Sequence, residues 1–304
     1  MKWHLFVFIL TIWALTDRSH AAVPTPVPSQ GFAQALGPTP VFSAPTFPGA
    51  MGDAGALNRR VKLFHGLLFT AWPGTAFTVL ERRNAGKVAI ARVTTSEYPC
   101  LSCWIDARHV RFSARPFPER AVKMPSRRDI LRFLEGAAAR GVPYCWGCNF
   151  SAGVPSLRRD YGLTARQLAR YPWDFAGLDC SGILFEATGG ATPRDTNRLL
   201  VYGDPVRIQG KTMAQIQAML QPLDLIIWQG HMLIVIENGF VVESANRYRR
   251  HFVRKAMKSP LAQRLGEVVW QRKPVNNYFD QRLSGRRRFV VRRWHPSASA
   301  GVRP

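Results

Sequence analysis

Long apolar runs are almost absent from this sequence. Residues 5–15 form one, behind Lys2, and no other stretch approaches the roughly 20 apolar residues that a membrane-spanning helix needs. That run is too short to cross a bilayer, and Ser19-His20-Ala21 behind it supplies a small-x-small cleavage pattern. Residues 1–21 are therefore expected to be a signal peptide. The chain is expected to be exported to the periplasm or cell envelope, with no transmembrane segment after cleavage. No cysteine follows the cleavage region, so a lipid anchor has no evident attachment point. Acidic residues are scarce too: 19 Asp and Glu stand against 42 Lys and Arg, a formal net charge of +23. Such a charge attracts any polyanion, and it equally describes a solvated basic surface. An exported protein seldom meets nucleic acid. The clusters Arg286-Arg287-Arg288 and Arg292-Arg293 are therefore read as flanks of a last strand, not as a nucleic-acid site.

Cysteines are few, and their spacing is informative. Of the five, Cys100-x-x-Cys103 and Cys145-x-x-Cys148 pair off and leave Cys180 odd. In an exported protein the two CxxC elements are expected as disulfides, in any of three connectivities. A structural zinc held by Cys100, Cys103, Cys145 and Cys148 is the alternative. Either arrangement could tie the two halves of the chain together. No cofactor is expected to be required.

The chain divides by composition. Residues 22–55 carry Pro24, Pro26, Pro28, Pro38, Pro40, Pro45 and Pro48 among Ala, Thr and Gly, a pattern expected of a linker. Residues 56–115 hold short β-rich runs at 77–80, 88–93 and 104–110 around turn residues, as in a small barrel. From 116 to 304 the pattern becomes α+β. Ser126 offers an N-cap, Asp129 sits in the first turn, and Ile130, Phe133, Leu134, Ala137 and Ala138 share a face before Gly141 and Pro143. Helices at 164–171 and 213–220 and strands at 225–228, 231–237, 240–244 and 288–294 are expected to follow. Helices and then a run of strands imply an antiparallel sheet.

The chemistry centres on Asp179-Cys180-Ser181-Gly182, which opens an apolar helical run. A cysteine at a helix N-terminus is expected to have its thiolate stabilised, because unpaired amides and the helix dipole face it. A nucleophile acting on an amide also needs a base that titrates near neutrality. Of seven histidines, His4 and His20 lie in the signal, His65 and His109 in the first domain, and His251 and His295 in basic segments. His231 begins the apolar strand Met232-Leu233-Ile234-Val235-Ile236, in the same region as Cys180.

Four elements in order resemble the NlpC-type, papain-like cell-wall cysteine peptidases. They are Tyr144-x-Trp146-Gly147, Asp179-Cys180-Ser181-Gly182, Leu220-Gln221-Pro222-x-Asp224-Leu225-Ile226, and His231 on a strand leading to Asn238-Gly239. The likeness spans about residues 126–294. The layout of 75–110, with Trp104-Ile105, is similar to a bacterial SH3-like (SH3b) domain, which would position an enzyme on its polymer. The resemblance implies a papain-like α+β fold preceded by a small SH3-like β-barrel. It also implies a monomer whose partner is peptidoglycan or its stem peptides, with Cys180 as nucleophile and His231 as base. Tyr144, Asp179 and Ser181 would hold substrate.

The third catalytic position depends on a loop. A two-residue turn at Asn238-Gly239 would set Asn246 opposite His231, whereas a three-residue loop, 237–239, would put Glu243 on the face of His231. Glu243 is the expectation and Asn246 the alternative. The sequence departs from the family in two places. The interval between Trp146 and Cys180 is long, which implies a lid or altered pocket over 149–178. Cys148 stands where a second glycine is usual, and would be strained if φ there were positive. The implied reaction is hydrolysis of γ-D-glutamyl–diaminoacid bonds. An amidase or acyltransferase using the same pair, and a non-catalytic wall-binding protein, are the other readings.

Overall fold

The computed structural model describes residues 30–100, 102–248, 252–279 and 287–295. The expected signal peptide and residues 22–29 lie outside them. The N-terminal half is a seven-stranded sheet built from β1 (Phe32–Ala35), β2 (Thr39–Phe42), β3 (Leu67–Ala71), β4 (Ala76–Ala85), β5 (Val88–Thr94), β6 (Cys103–Asp106) and β7 (Val110–Ser113). Its order is β3-β2-β6-β5-β4-β1-β7, antiparallel throughout. Among the described residues β3 and β7 do not pair with each other, so the expected closed SH3-like barrel is not formed.

The largest departure is the expected linker. From Gln30 onward it is folded, contributing β1, β2 and the short helix α1 (Phe47–Ala50). Proline does not prevent this at Pro40 and Pro48, which sit where a missing N–H is tolerated. Pro40 pairs with Thr70 on one side only, since β6 reaches no further than Val41 and Phe42. Pro48 falls in the first turn of α1. The rings of Phe42 and Phe47 stack 4.0 Å apart, and both are buried. Burying two such rings stabilises by roughly 3–6 kcal/mol, which outweighs the lost donors.

The second half follows the expected α+β pattern. Its helices are α2 (Arg127–Arg140), α3 (Ser156–Asp160), α4 (Ala165–Arg170), α5 (Gly182–Ala187), α6 (Thr196–Leu199), α7 (Met213–Met219) and α8 (Leu261–Gln271). A small ribbon pairs β8 (Asn149–Phe150) with β9 (Gly177–Leu178). The main sheet comprises β10 (Asp204–Val206), β11 (Leu225–Trp228), β12 (His231–Ile236), β13 (Phe240–Tyr248), β14 (Phe252–Pro260), β15 (Lys273–Pro274) and β16 (Arg288–Arg293). Its order is β10-β16-β11-β12-β13-β14, with β15 parallel to β16. Helix α2 begins as its spacing predicts: the Ser126 hydroxyl accepts from the Asp129 amide, and Gly141 closes it at φ 61°. Its buried face, Ile130, Leu131, Leu134 and Ala137, joins the core over the sheet, against β14 and α5.

The two halves share a core. Phe42, Phe47, Phe64 and Trp104 from the first pack with Tyr171, Trp173 and Phe175 from the second. The segment 149–178 is therefore not a lid: its aromatic residues are buried between the halves. Asn149, fully buried, completes the join by pairing with β3 as a strand would. Its Oδ1 accepts from the Thr70 amide at 2.8 Å, and its Nδ2 donates to the Thr70 carbonyl at 2.8 Å. Replacing Asn149 with Ala strands two buried backbone groups. The variant is expected to lose on the order of 3 kcal/mol of unfolding free energy in urea titration. A loss below about 0.5 kcal/mol would mean that the contact carries no weight.

Candidate active site

Cys180, His231 and Glu243 come together at one end of the main sheet. β11 and β12 meet in a tight turn, Trp228 pairing with His231 across Gln229-Gly230. The turn presents the Gly230 carbonyl to α5, and the Cys180 thiol donates to it at 3.8 Å. The thiol thus lies beside the residue that precedes the histidine. On the other side, β12 and β13 are joined through Glu237-Asn238-Gly239, with Ile236 opposite Phe240. This is the three-residue loop, with Asn238 at φ 59° and Gly239 at φ 74°. It places Glu243 on the face of His231, and the carboxylate Oε2 meets His231 Nε2 at 2.8 Å. Asn246 accepts from Arg254 Nε at 3.4 Å and leaves the histidine to Glu243.

Glu243 is 1% exposed, and its charge is held by residues the sequence did not single out. Arg264 of α8 donates from Nε and Nη2 to the two carboxylate oxygens at 2.8 and 3.0 Å. Arg247 Nη2 lies 2.8 Å from Oε1. Both arginines also meet Glu267. Burial opposes the charge on Glu243, yet the His231 hydrogen bond and Arg264 prevail and bring its pKa down to about 2. With Nε2 engaged by Glu243, Nδ1 is the ring nitrogen left over.

Cys180 differs from expectation in one respect. Burial, reinforced by the Asp179 carboxylate, pushes the Cys180 thiol up to about 12, while Arg194 and the Ser181 amide pull the other way. Desolvation outweighs the helix terminus, because α5 is short and Cys180 is only 8% exposed. Burial and the Asp179 carboxylate both favour the neutral thiol.

Asp179 and Ser181 are also placed differently from expectation. The Asp179 carboxylate accepts from the amides of Gly147, Ser181 and Gly182 at 3.0, 3.1 and 2.6 Å. It also takes both Nη1 and Nη2 of buried Arg194, at 3.0 and 2.7 Å. A carboxylate has about four lone-pair sites, so these are filled without a substrate. Ser181 Oγ accepts from Arg194 Nη1 at 2.9 Å, within the same buried cluster. These two residues hold the Cys180 loop; they do not face the cleft. Arg194 also donates to Asn149 Oδ1 at 3.1 Å, which links the loop to β3.

Tyr144 does face the cleft, a cavity of about 760 Å³ that also includes Trp146, Trp228, His231 and Arg272. Burial, with Cys180 and Asp179 nearby, raises the Tyr144 phenol and so keeps it neutral. Val61, Leu63 and His65 of the N-terminal half form the facing wall. The disulfides are local, Cys100–Cys103 and Cys145–Cys148, so neither ties the halves and the four cysteines do not assemble a zinc site. No group of three or more metal-binding side chains occurs among the described residues. Gly147 carries the positive φ, 76°, and a Cβ there would strike the Leu67 backbone. Cys148 is not among the residues of positive φ, so its side chain is unstrained.

No protein-family model and no curated protein matches the sequence. Solved structures do. An NlpC/P60 family protein from Bacillus cereus ATCC 10987 is 15% identical with a TM-score of 0.33, over 87% of this chain and 63% of that one. The peptidoglycan hydrolase RipB from Mycobacterium tuberculosis is 18% identical with a TM-score of 0.31, over 56% and 67%. An NlpC/P60 endopeptidase from Photobacterium damselae subsp. piscicida is 12% identical with a TM-score of 0.41, over 75% and 66%. The chain thus spans under two thirds of the first of these, and residue roles here rest on its own geometry.

Two outcomes are expected. Glu243 titrates at about 2 in the folded protein against 4.5 ordinarily. Its contribution, on the order of 3 kcal/mol, is therefore present above pH ~5 and is lost as pH falls toward 2. In denaturant titrations at several pH values, Glu243→Gln should flatten that fall while lowering stability at pH 7. Alkylation of Cys180 by iodoacetamide should be slow at pH 7 and keep rising beyond pH 9. A plateau reached near pH 6 would show a standing thiolate instead.

Proposed function

We propose that the protein is a cysteine peptidase that cuts the peptide stems of peptidoglycan at γ-D-glutamyl–diaminoacid bonds. The observation that carries the reading is the 2.8 Å bond between His231 and an ionised Glu243. It sits beside Cys180, the free cysteine, whose thiol already reaches the Gly230 carbonyl. The ordered motifs around Tyr144, Cys180, Asp224 and His231 support the substrate class through their resemblance to NlpC-type enzymes.

In the proposed reaction His231 Nδ1 takes the thiol proton as Sγ attacks the amide carbon. The imidazolium so formed is stabilised by Glu243. The carbonyl oxygen becomes an oxyanion that backbone amides near Cys180 hold. His231 then protonates the leaving amine, a thioester remains on Cys180, and water activated by His231 hydrolyses it. Tyr144 donates to substrate from the cleft wall. The N-terminal sheet, with its wall residues Val61, Leu63 and His65, narrows what can enter.

Purified peptidoglycan and soluble stem peptides, digested with wild type and with Cys180→Ala, test the proposal by mass spectrometry. New amines should appear with wild type alone, located at the γ-D-glutamyl linkage. Intact stems in both digests would exclude the peptidase reading.

A further inference from the structure

The charges lining the cleft do not cancel. Arg247 and Arg264 meet Glu243 and Glu267, but Arg272 has no carboxylate partner among the described residues. Its Nη1 donates to the neighbouring Gln271 side chain at 3.0 Å, and its Nε is buried without a partner. The guanidinium lies 4.3 Å from the centroid of the Trp228 ring. That ring is in turn 5.2 Å from the imidazole of His231. One buried indole therefore separates a cation from the proposed base, and stacking fixes the direction in which the guanidinium faces. Burial, with the like charge of Arg264, lowers the guanidinium from its ordinary value. An anion at this place relieves an existing penalty, unlike an exposed ion pair.

We propose that Arg272 is the carboxylate-binding residue of the cleft, receiving the free carboxylate of a residue that flanks the scissile amide and so selecting acidic peptides over their amidated forms. The proposal rests on the peptidase reading for the position of the amide. Its ligand chemistry follows from Arg272 itself: a planar fork of donors matches a carboxylate in two parallel hydrogen bonds, and a carboxamide oxygen offers no charge to it.

Two synthetic stem peptides, identical except for a free carboxylate or a carboxamide beside the scissile bond, provide the test. Wild type should show kcat/KM about ten- to a hundredfold higher on the acid than on the amide. Arg272→Gln should bring that ratio near one, and Arg272→Lys, which keeps charge but not the fork, should fall between. Wild type without preference, or Arg272→Gln with the wild-type ratio, overturns the proposal. Calorimetry of both peptides with Cys180→Ala, alone and combined with Arg272→Gln, separates this outcome from failure of the peptidase reading. If the acid binds over the amide, Arg272→Gln abolishes the difference and wild type cleaves neither peptide, the carboxylate site stands and the peptidase does not. Equal binding of acid and amide overturns the site, whatever is cleaved.

Discussion

A buried carboxylate can orient an imidazole only while something else keeps it ionised. Glu243 is almost completely enclosed, and burial alone would push it toward the neutral acid. His231 itself and then Arg264, through two hydrogen bonds, reverse this, and Arg247 adds a further contact. The geometry of His231 therefore depends on α8, an element that contributes no proposed catalytic residue. Leu261, Leu265 and Val268 anchor that helix in the core of the main sheet. Packing thus fixes Arg264, Arg264 fixes the charge of Glu243, and Glu243 fixes the ring. An ion cluster of this kind adds little net stability compared with apolar packing of the same volume. What it supplies is a defined orientation for one imidazole.

A second cluster does the same for Cys180, the proposed nucleophile, with the roles reversed. Here the carboxylate is Asp179, and its partner Arg194 is as buried as Arg264. Asp179 holds the amides of Ser181 and Gly182, so it fixes the turn on which Cys180 stands. Arg194 extends that hold to Asn149, and Asn149 to Thr70 of the N-terminal sheet. The N-terminal half is accordingly more than an appended anchor. It is bonded, through three buried side chains, to the loop that carries the thiol, and it also supplies one wall of the cleft.

How legible this was varies with the kind of signal. Local rules worked in places: Ser126 and Gly141 bound α2, Thr164 and Thr212 cap α4 and α7, and β4, β5, β11, β12, β13 and β16 begin within a few residues of the expected runs, whereas β3, β10 and β14 were not expected. The choice between Glu243 and Asn246 reduced to a loop length that either register could satisfy, and only the fold decides it. Of the features that escaped, three have clear physical reasons. Proline suggested a linker where Pro40 and Pro48 occupy tolerated positions and aromatic burial does the rest. Helix α8 follows Pro260 without a capping side chain, although Leu261, Leu265 and Val268 repeat at helical spacing and could have revealed it. Asp179 was expected to hold substrate, yet its carboxylate is taken up by Arg194, a partner 15 residues away that no local pattern connects to it.

The protonation states at rest follow from these two clusters. Glu243 is an anion with arginines behind it, and Cys180 is a thiol whose neighbour Asp179 disfavours a second negative charge. On the proposed mechanism the ion pair of thiolate and imidazolium does not stand in the empty cleft. It forms when the proton moves to His231, as the negative charge passes from sulfur to the substrate oxygen. A nucleophile kept neutral until that moment has little thiolate to offer an oxidant, and oxidation of cysteine tracks thiolate character and exposure. The same burial that raises the barrier to ionisation therefore protects the sulfur. Glu243 offsets part of that barrier, because it favours the imidazolium that appears only when the thiol gives up its proton.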